Sequence, residues 1–132
     1  MSKYEKCAIK AINLIKSGKI NNPRNAWERA SSEIFGKGTT GQLKGCPKSA
    51  FLGLCEEGII KGISHGKYTK SKKNKNYAIK AIKILLKEPY LKNNKKELWN
   101  RVIENNKISH NYQMDVVIAL WNNNLINKEN LK

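Results

Sequence analysis

Residues 45–63 read GCPKSAFLGLCEEGIIKGI, from Gly45 to Ile63, and this stretch decides the fold. It carries an explicit helix start and stop. Pro47 suits the first helical position, where its missing N–H would have no partner anyway. Gly58 supplies the left-handed residue that closes many helices. Between them Pro47, Ala50, Phe51, Leu54 and Cys55 recur at helical spacing as one apolar stripe. Ile59, Ile60 and Ile63 then form a short extended run that Gly62 interrupts. A helix passing through Glu-Gly-Ile-Ile into a Gly- and Lys-rich turn predicts a recognition helix that runs into a β-wing.

Outward from this stretch the chain is helical. Tyr4, Cys7, Ala8, Ala11, Ile12 and Ile15 mark a first amphipathic helix that stops at Ser17-Gly18. Asn22-Pro23 is a cap followed by a first-turn proline, and opens a second helix to about Phe35 with Ala26, Trp27, Ala30 and Ile34 inside. Gly36–Gly45 is a Gly-rich loop that does not match a phosphate-binding G-x-x-x-x-G-K-[ST]. Ser71 caps a fourth helix with Tyr77, Ala78, Ala81, Ile82 and Leu85, which ends before Pro89. Asn93 or Asn94 caps a fifth with Leu98, Trp99, Val102 and Ile103. A sixth holds Val116, Val117, Leu120 and Trp121, and Asn124 closes it as Gly58 closes the third.

That parallel extends along the chain. Ala8-Ile9-Lys10-Ala11-Ile12 recurs as Ala78-Ile79-Lys80-Ala81-Ile82, and Trp27-x-Arg29 recurs as Trp99-x-Arg101. Phe51-x-x-Leu54-Cys55 with Gly58-Ile59-Ile60 matches Val117-x-x-Leu120-Trp121 with Asn124-Leu125-Ile126. The expected fold class is therefore mainly α: about six helices as two tandem three-helix repeats, winged-helix-like, with at most a small β-hairpin. We expect a single compact domain over residues 1–132, with pseudo-repeats at about 3–63 and 74–127 and a basic connection at 64–73. The second repeat has no counterpart to the Gly-rich loop or the wing, so any special chemistry is expected in the first.

Charge points to the partner. The 132 residues carry a formal net charge of +16, from 26 Lys and Arg against 10 Asp and Glu. Only 3 of the cations are Arg, and Asp115 is the chain's single Asp. From Gly58 to Lys87 there is no acid at all. Such an excess favours polyanions. Lysine contacts phosphate as a point charge and reads bases poorly beside arginine, so little base readout is expected. No stretch approaches a membrane span, and MSKYEKCAIK lacks the apolar core of a signal peptide. The expected compartment is the cytoplasm, without a membrane partner.

Gly45-Cys46-Pro47-Lys48-Ser49 places backbone N–H groups, a thiol, an ammonium and a hydroxyl around one helix N-terminus, an arrangement that attracts anions. Lys44, Cys46, Lys48 and Ser49 at that start, with Lys61, Lys67, Lys70, Lys72 and Lys73 beyond it, are the candidate anion-binding residues. Cys46 has three open readings: a cap or packed thiol, an anion contact, or a nucleophile activated by the helix end. It is the one catalytic candidate. Cys7 is expected in the core. His65 and His110 sit in turns as surface residues, too far along the chain from Cys46 to argue for a dyad. The three cysteines contain no C-x-x-C, and no acid cluster is present, so neither metal nor cofactor is expected.

The run GCPK-x-AFLGLCEEG, followed by KGI-x-x-GKYT-x-SKKNK-x-YA, resembles a family of small uncharacterised bacterial proteins. The resemblance implies a prokaryotic or phage origin and a cytoplasmic protein. It transfers no activity, substrate or catalytic residue. Three function classes follow from the residues. The first is a nucleic-acid-binding module, with DNA ahead of RNA. The second is a basic interaction or inhibitor protein with an acidic protein partner, and the third is a small enzyme using Cys46. The expected order is the one given, and the oligomeric state stays open.

Overall fold

The computed structural model describes residues 1–131. It is mainly helical. Six helices of eight residues or more are α1 (Lys3–Lys16), α2 (Pro23–Phe35), α4 (Gly45–Glu56), α5 (Lys72–Lys87), α6 (Lys95–Val102) and α7 (Gln113–Asn122). A single turn, α3 (Thr40–Leu43), lies within the Gly-rich loop, and 3-10 turns occupy Pro89–Asn93 and Lys128–Leu131.

The starts follow local chemistry. Ser2 and Glu5 form a capping box, Ser2 N–H donating to Glu5 Oε2 at 2.6 Å and Ser2 Oγ accepting from Glu5 N–H at 3.3 Å. Asn22 caps α2 ahead of Pro23, Ser71 caps α5, and Asn94 caps α6. The helix α4 begins at Gly45, two residues earlier than Pro47 suggests, with Lys44 as a cap that makes no side-chain bond. Cys46 is therefore inside the first turn.

The core is built around α4 and α7, which pack on each other. Every residue of α4 from Ala50 to Cys55 is buried, and every residue of α7 from Gln113 to Leu120. This corrects the single stripe: a helix covered on all sides buries Leu52 and Gly53 as well as Phe51 and Leu54. The amphipathic helices surround this pair. The helix α1 packs on α2 and α7, and α5 packs on α6, α4 and α7. Gly53 permits the approach of α5, since a Cβ there would lie 2.5 Å from Lys75 Cβ and 2.7 Å from Lys75 Cα.

The ends of α4 and α7 close alike. Gly58 and Asn124 both take the left-handed conformation, with φ of 69° and 56°. After each, the next N–H reaches back to the helix, Ile59 to Leu54 O at 3.2 Å and Leu125 to Leu120 O at 3.0 Å. The two exits then meet in an antiparallel bridge, Ile60 opposite Ile126. Its bonds run from Lys61 N–H to Leu125 O (2.8 Å) and from Asn127 N–H to Ile59 O (2.6 Å).

That bridge replaces the expected wing. Among the described residues no hairpin forms at 64–73, because Ile60 finds its partner in the far C-terminal segment. The N–H groups a hairpin would pair go to α4 instead: Gly66 donates to Glu56 O at 3.3 Å, and Tyr68 and Thr69 donate to Glu56 Oε1 at 2.8 and 3.3 Å.

Candidate nucleic-acid interface

The basic connection is pinned from two sides. Glu56 at the end of α4 holds the backbone of Tyr68 and Thr69, and its other oxygen accepts from Lys75 Nζ at 2.8 Å. The Lys75 ammonium holds the Glu56 carboxyl below the usual carboxylate range, helped by the two N–H groups and opposed by burial. From α2, Arg24 Nη1 donates to Tyr68 O at 3.2 Å. Arg24 stands in the first turn because Asn22 Oδ1 accepts its backbone N–H at 2.9 Å.

The result is a groove of ≈ 530 Å³ lined by Arg24, Lys67, Lys70 and Lys72 with Glu56, Tyr68 and Thr69. Lys67, Lys70 and Lys72 are exposed and pair with no carboxylate among the described residues; Arg24 makes no contact ion pair, though its charge acts on Glu28 one turn along α2. Glu56, the acid of this wall, is already engaged by Lys75. Net positive charge therefore faces the groove. Local sequence gives no reason to join Arg24 to the lysines; only its place after the Asn22-Pro23 helix start predicts that it is held in a fixed position.

The remaining candidates separate. Lys48 turns away from the start of α4 to Glu28 on α2, Nζ to Oε1 at 2.6 Å, so its charge is neutralised there. Lys48 and, beyond it, Gln42 keep the Glu28 carboxyl below its ordinary range. Gln42 Nε2 also donates to Ser31 Oγ at 3.1 Å, and its Oε1 accepts from Gly38 N–H at 3.2 Å. The Gly-rich loop is thus tied to α2 by a buried polar network. Lys44 lies over the ring of Tyr112, 5.7 Å from its centroid. Ser49 is half-buried and makes no side-chain hydrogen bond among the described residues. Lys61 lies with Asn127 and Lys128 at the C-terminal segment, outside the groove, and Lys73 is exposed on α5 without lining it.

Cys7 and Cys55 are buried, and Cys46 is half-buried. Burial pushes the Cys7 thiol up to about 11 and raises Cys55 further, so neither is a nucleophile at neutral pH. Among the described residues no three potential ligands gather as a metal site, and Cys46 has no His or carboxylate bonded to it. His65 is exposed as expected. His110 is not a surface residue: it is half-buried against Trp99, and its Nε2 accepts the Met114 N–H at 3.0 Å, capping α7. Sequence reasoning also missed the buried Asp115. It accepts from Ser2 Oγ at 2.5 Å and lies 3.3 Å from Lys95 Nζ, which also reaches Glu5 at 3.5 Å. Its only sequence signal is a lone Asp in a first helical turn, where the dipole favours an anion.

The chain belongs to a family of unknown function, DUF6979, whose model matches residues 1–127. No curated protein and no solved structure matches it. No helix among the described residues is long and apolar enough to cross a membrane.

Proposed function

We propose that this member of DUF6979 binds nucleic acid through its phosphate backbone, along the groove of Arg24, Lys67, Lys70 and Lys72, with little base readout. The observation that carries the proposal is the convergence of four cations on one groove whose acid is already paired. Seven other Lys and Arg residues, among them Lys48 and Lys75, are spent on internal ion pairs. Spacing several ammonium groups along an open groove costs self-repulsion, which a run of phosphates relieves while releasing counterions. Such a protein would work in the cytoplasm.

We take residues 3–63 and 74–127 as tandem copies of a three-helix unit. Supporting this are the matched closures at Gly58 and Asn124 and the bridge between Ile60 and Ile126. So is the packing, in which α1 rests on α7 while α5 rests on α4. On that reading the groove belongs to what the first copy adds, the connection that leaves α4.

Anisotropy titration of labelled duplex and single strands across a salt series tests the function. Affinity should fall with salt, the log–log slope being about −0.9 per phosphate neutralised on duplex and about −0.7 on single strands. Reversing Lys67, Lys70 and Lys72 to Glu should weaken binding to every sequence alike and flatten the slope. Absence of binding by the parent at low salt overturns the reading, and an acidic protein partner then leads.

A further inference from the structure

We infer that Tyr112, resting on Tyr4 with Phe35 on the far side of that ring, is a base-stacking platform that directs the protein to single-stranded nucleic acid. This rests on the nucleic-acid reading above and names its substrate class. The three rings form a run: Tyr112 and Tyr4 have centroids 4.7 Å apart, and Tyr4 and Phe35 are again 4.7 Å apart. Tyr4 is the fixed member, buried, with its hydroxyl donating to Gly41 O at 2.8 Å. Tyr112 is the open member, 44% exposed, and its backbone is left-handed with φ of 68°. A bulky side chain enters that region at a cost, so an exposed tyrosine there gains nothing from the backbone that carries it.

Both ends of the run carry a cation. Lys44 Nζ stands 5.7 Å from the Tyr112 centroid, and Lys3 Nζ stands 5.4 Å from that of Phe35. Neither lysine pairs with a carboxylate among the described residues. Leu43, next to Lys44, is 66% exposed. Lys44 stands over the Tyr112 ring itself, so a base takes the ring as that ammonium swings aside to a neighbouring phosphate, and Lys3 offers a second cation at the Phe35 end. Every base has an aromatic face, so the contact is tolerant of sequence. A duplex buries those faces between its own base pairs, so only an unpaired strand can use the platform.

Contacts link the platform to the groove. Lys44 precedes α4, and Lys48, four residues on, pairs with Glu28 on α2. One turn back along α2 stands Arg24, bonded to Tyr68 O at the groove. Between groove and platform lies the paired Lys48 and Glu28, so a strand that uses both gains its charge contacts at the two ends.

The test is anisotropy titration of the full chain with oligothymidine, oligouridine and a mixed-sequence duplex. The parent is compared with Tyr112→Leu and Tyr112→Phe, each checked for an unchanged thermal unfolding curve. Tyr112→Leu should weaken both single strands by about 5- to 150-fold, the range of one lost stacking contact. Duplex affinity and the salt slope should stay at parent values, and Tyr112→Phe should bind as the parent does. Photo-crosslinking of an oligonucleotide carrying 5-iodouracil should modify the peptide containing Tyr112. Unchanged single-strand binding by Tyr112→Leu, or equal loss on single strands and duplex, overturns the platform while leaving the phosphate-binding groove in place. A parent that binds no nucleic acid at low salt removes both. Loss of affinity for both oligothymidine and oligouridine in Tyr112→Leu supports stacking, whichever of the two the parent prefers.

Discussion

Ile60 and Ile126 face each other across an antiparallel bridge, both buried, at the points where the chain leaves its two central helices. They stand at the same distance past Gly58 and Asn124, and the flanking bonds are reciprocal, Lys61 to Leu125 and Asn127 to Ile59. The N-terminal and C-terminal halves are therefore clamped together at equivalent positions. Ile60→Ala and Ile126→Ala should each cost about 2–5 kcal/mol in urea unfolding. The double variant should depart from additivity by about 0.5–3 kcal/mol. Simple additivity would mean that the two side chains do not act as a pair.

Arg24 and Lys61 exchange the roles that sequence proximity gives them. Lys61 is close in sequence to the basic connection but sits with Asn127 and Lys128, whereas Arg24 lines the groove from α2. In salt-series binding, Arg24→Glu should weaken nucleic-acid affinity more than Lys61→Glu, and only Arg24→Glu should flatten the salt slope, by about 0.7–0.9 for one lost phosphate contact. The opposite ranking would move the contact surface to the C-terminal segment.

Stability should depend on pH in two steps. Burial lowers the pKa of His110, with Asp115 pulling it up and Lys95 pushing it down. Its neutral Nε2 also accepts the Met114 N–H, between the rings of Trp99 and Tyr112. The unfolded imidazole, near its ordinary pKa of about 6.5, binds a proton that the folded one resists, so its contribution is full above that pH and is lost as pH falls. A second loss should follow below about pH 4.3, the ordinary Glu value, as Glu28, Glu33 and Glu56 protonate. All three are held low by lysine partners, Glu33 down to about 2. Thermal unfolding against pH should show both steps, and His110→Gln should remove the upper one alone. An upper step that survives in His110→Gln would assign it elsewhere.

Thiol labelling of the native protein should modify Cys46 first. Cys7 and Cys55 should react only as the protein unfolds, since burial both shields them and raises their pKa. Mass spectrometry of a time course with a maleimide reads the order directly. Labelling of Cys7 or Cys55 at the rate of Cys46 would contradict the packing of α1 or α4.

The helices were legible because their signals are local. Ser71, Asn22-Pro23, Asn94 and Gly58 act within a turn of where they stand, and apolar residues spaced three and four apart mark α1 and α5 directly. The apolar stripe on α4 is narrower than the surface the helix buries for a physical reason: full burial comes from α5, α7 and the loop closing around it, and Gly53 shows its purpose only when Lys75 lies against it.

The basic surface divides along the same line. Composition alone determined that the protein is strongly basic and that its acid-free run centres on residues 58–87. Which lysines remain available was decided by distant acids. Glu28 takes Lys48, Glu56 takes Lys75 and folds the connection against α4, and the C-terminal segment takes the strand partner that a wing would have used. Helix propensity, caps and net charge are sums over neighbours in sequence, so the chain states them outright. Ion pairs, ring stacks and bridges depend on residues tens of positions apart, and only the packed tertiary structure brings those together.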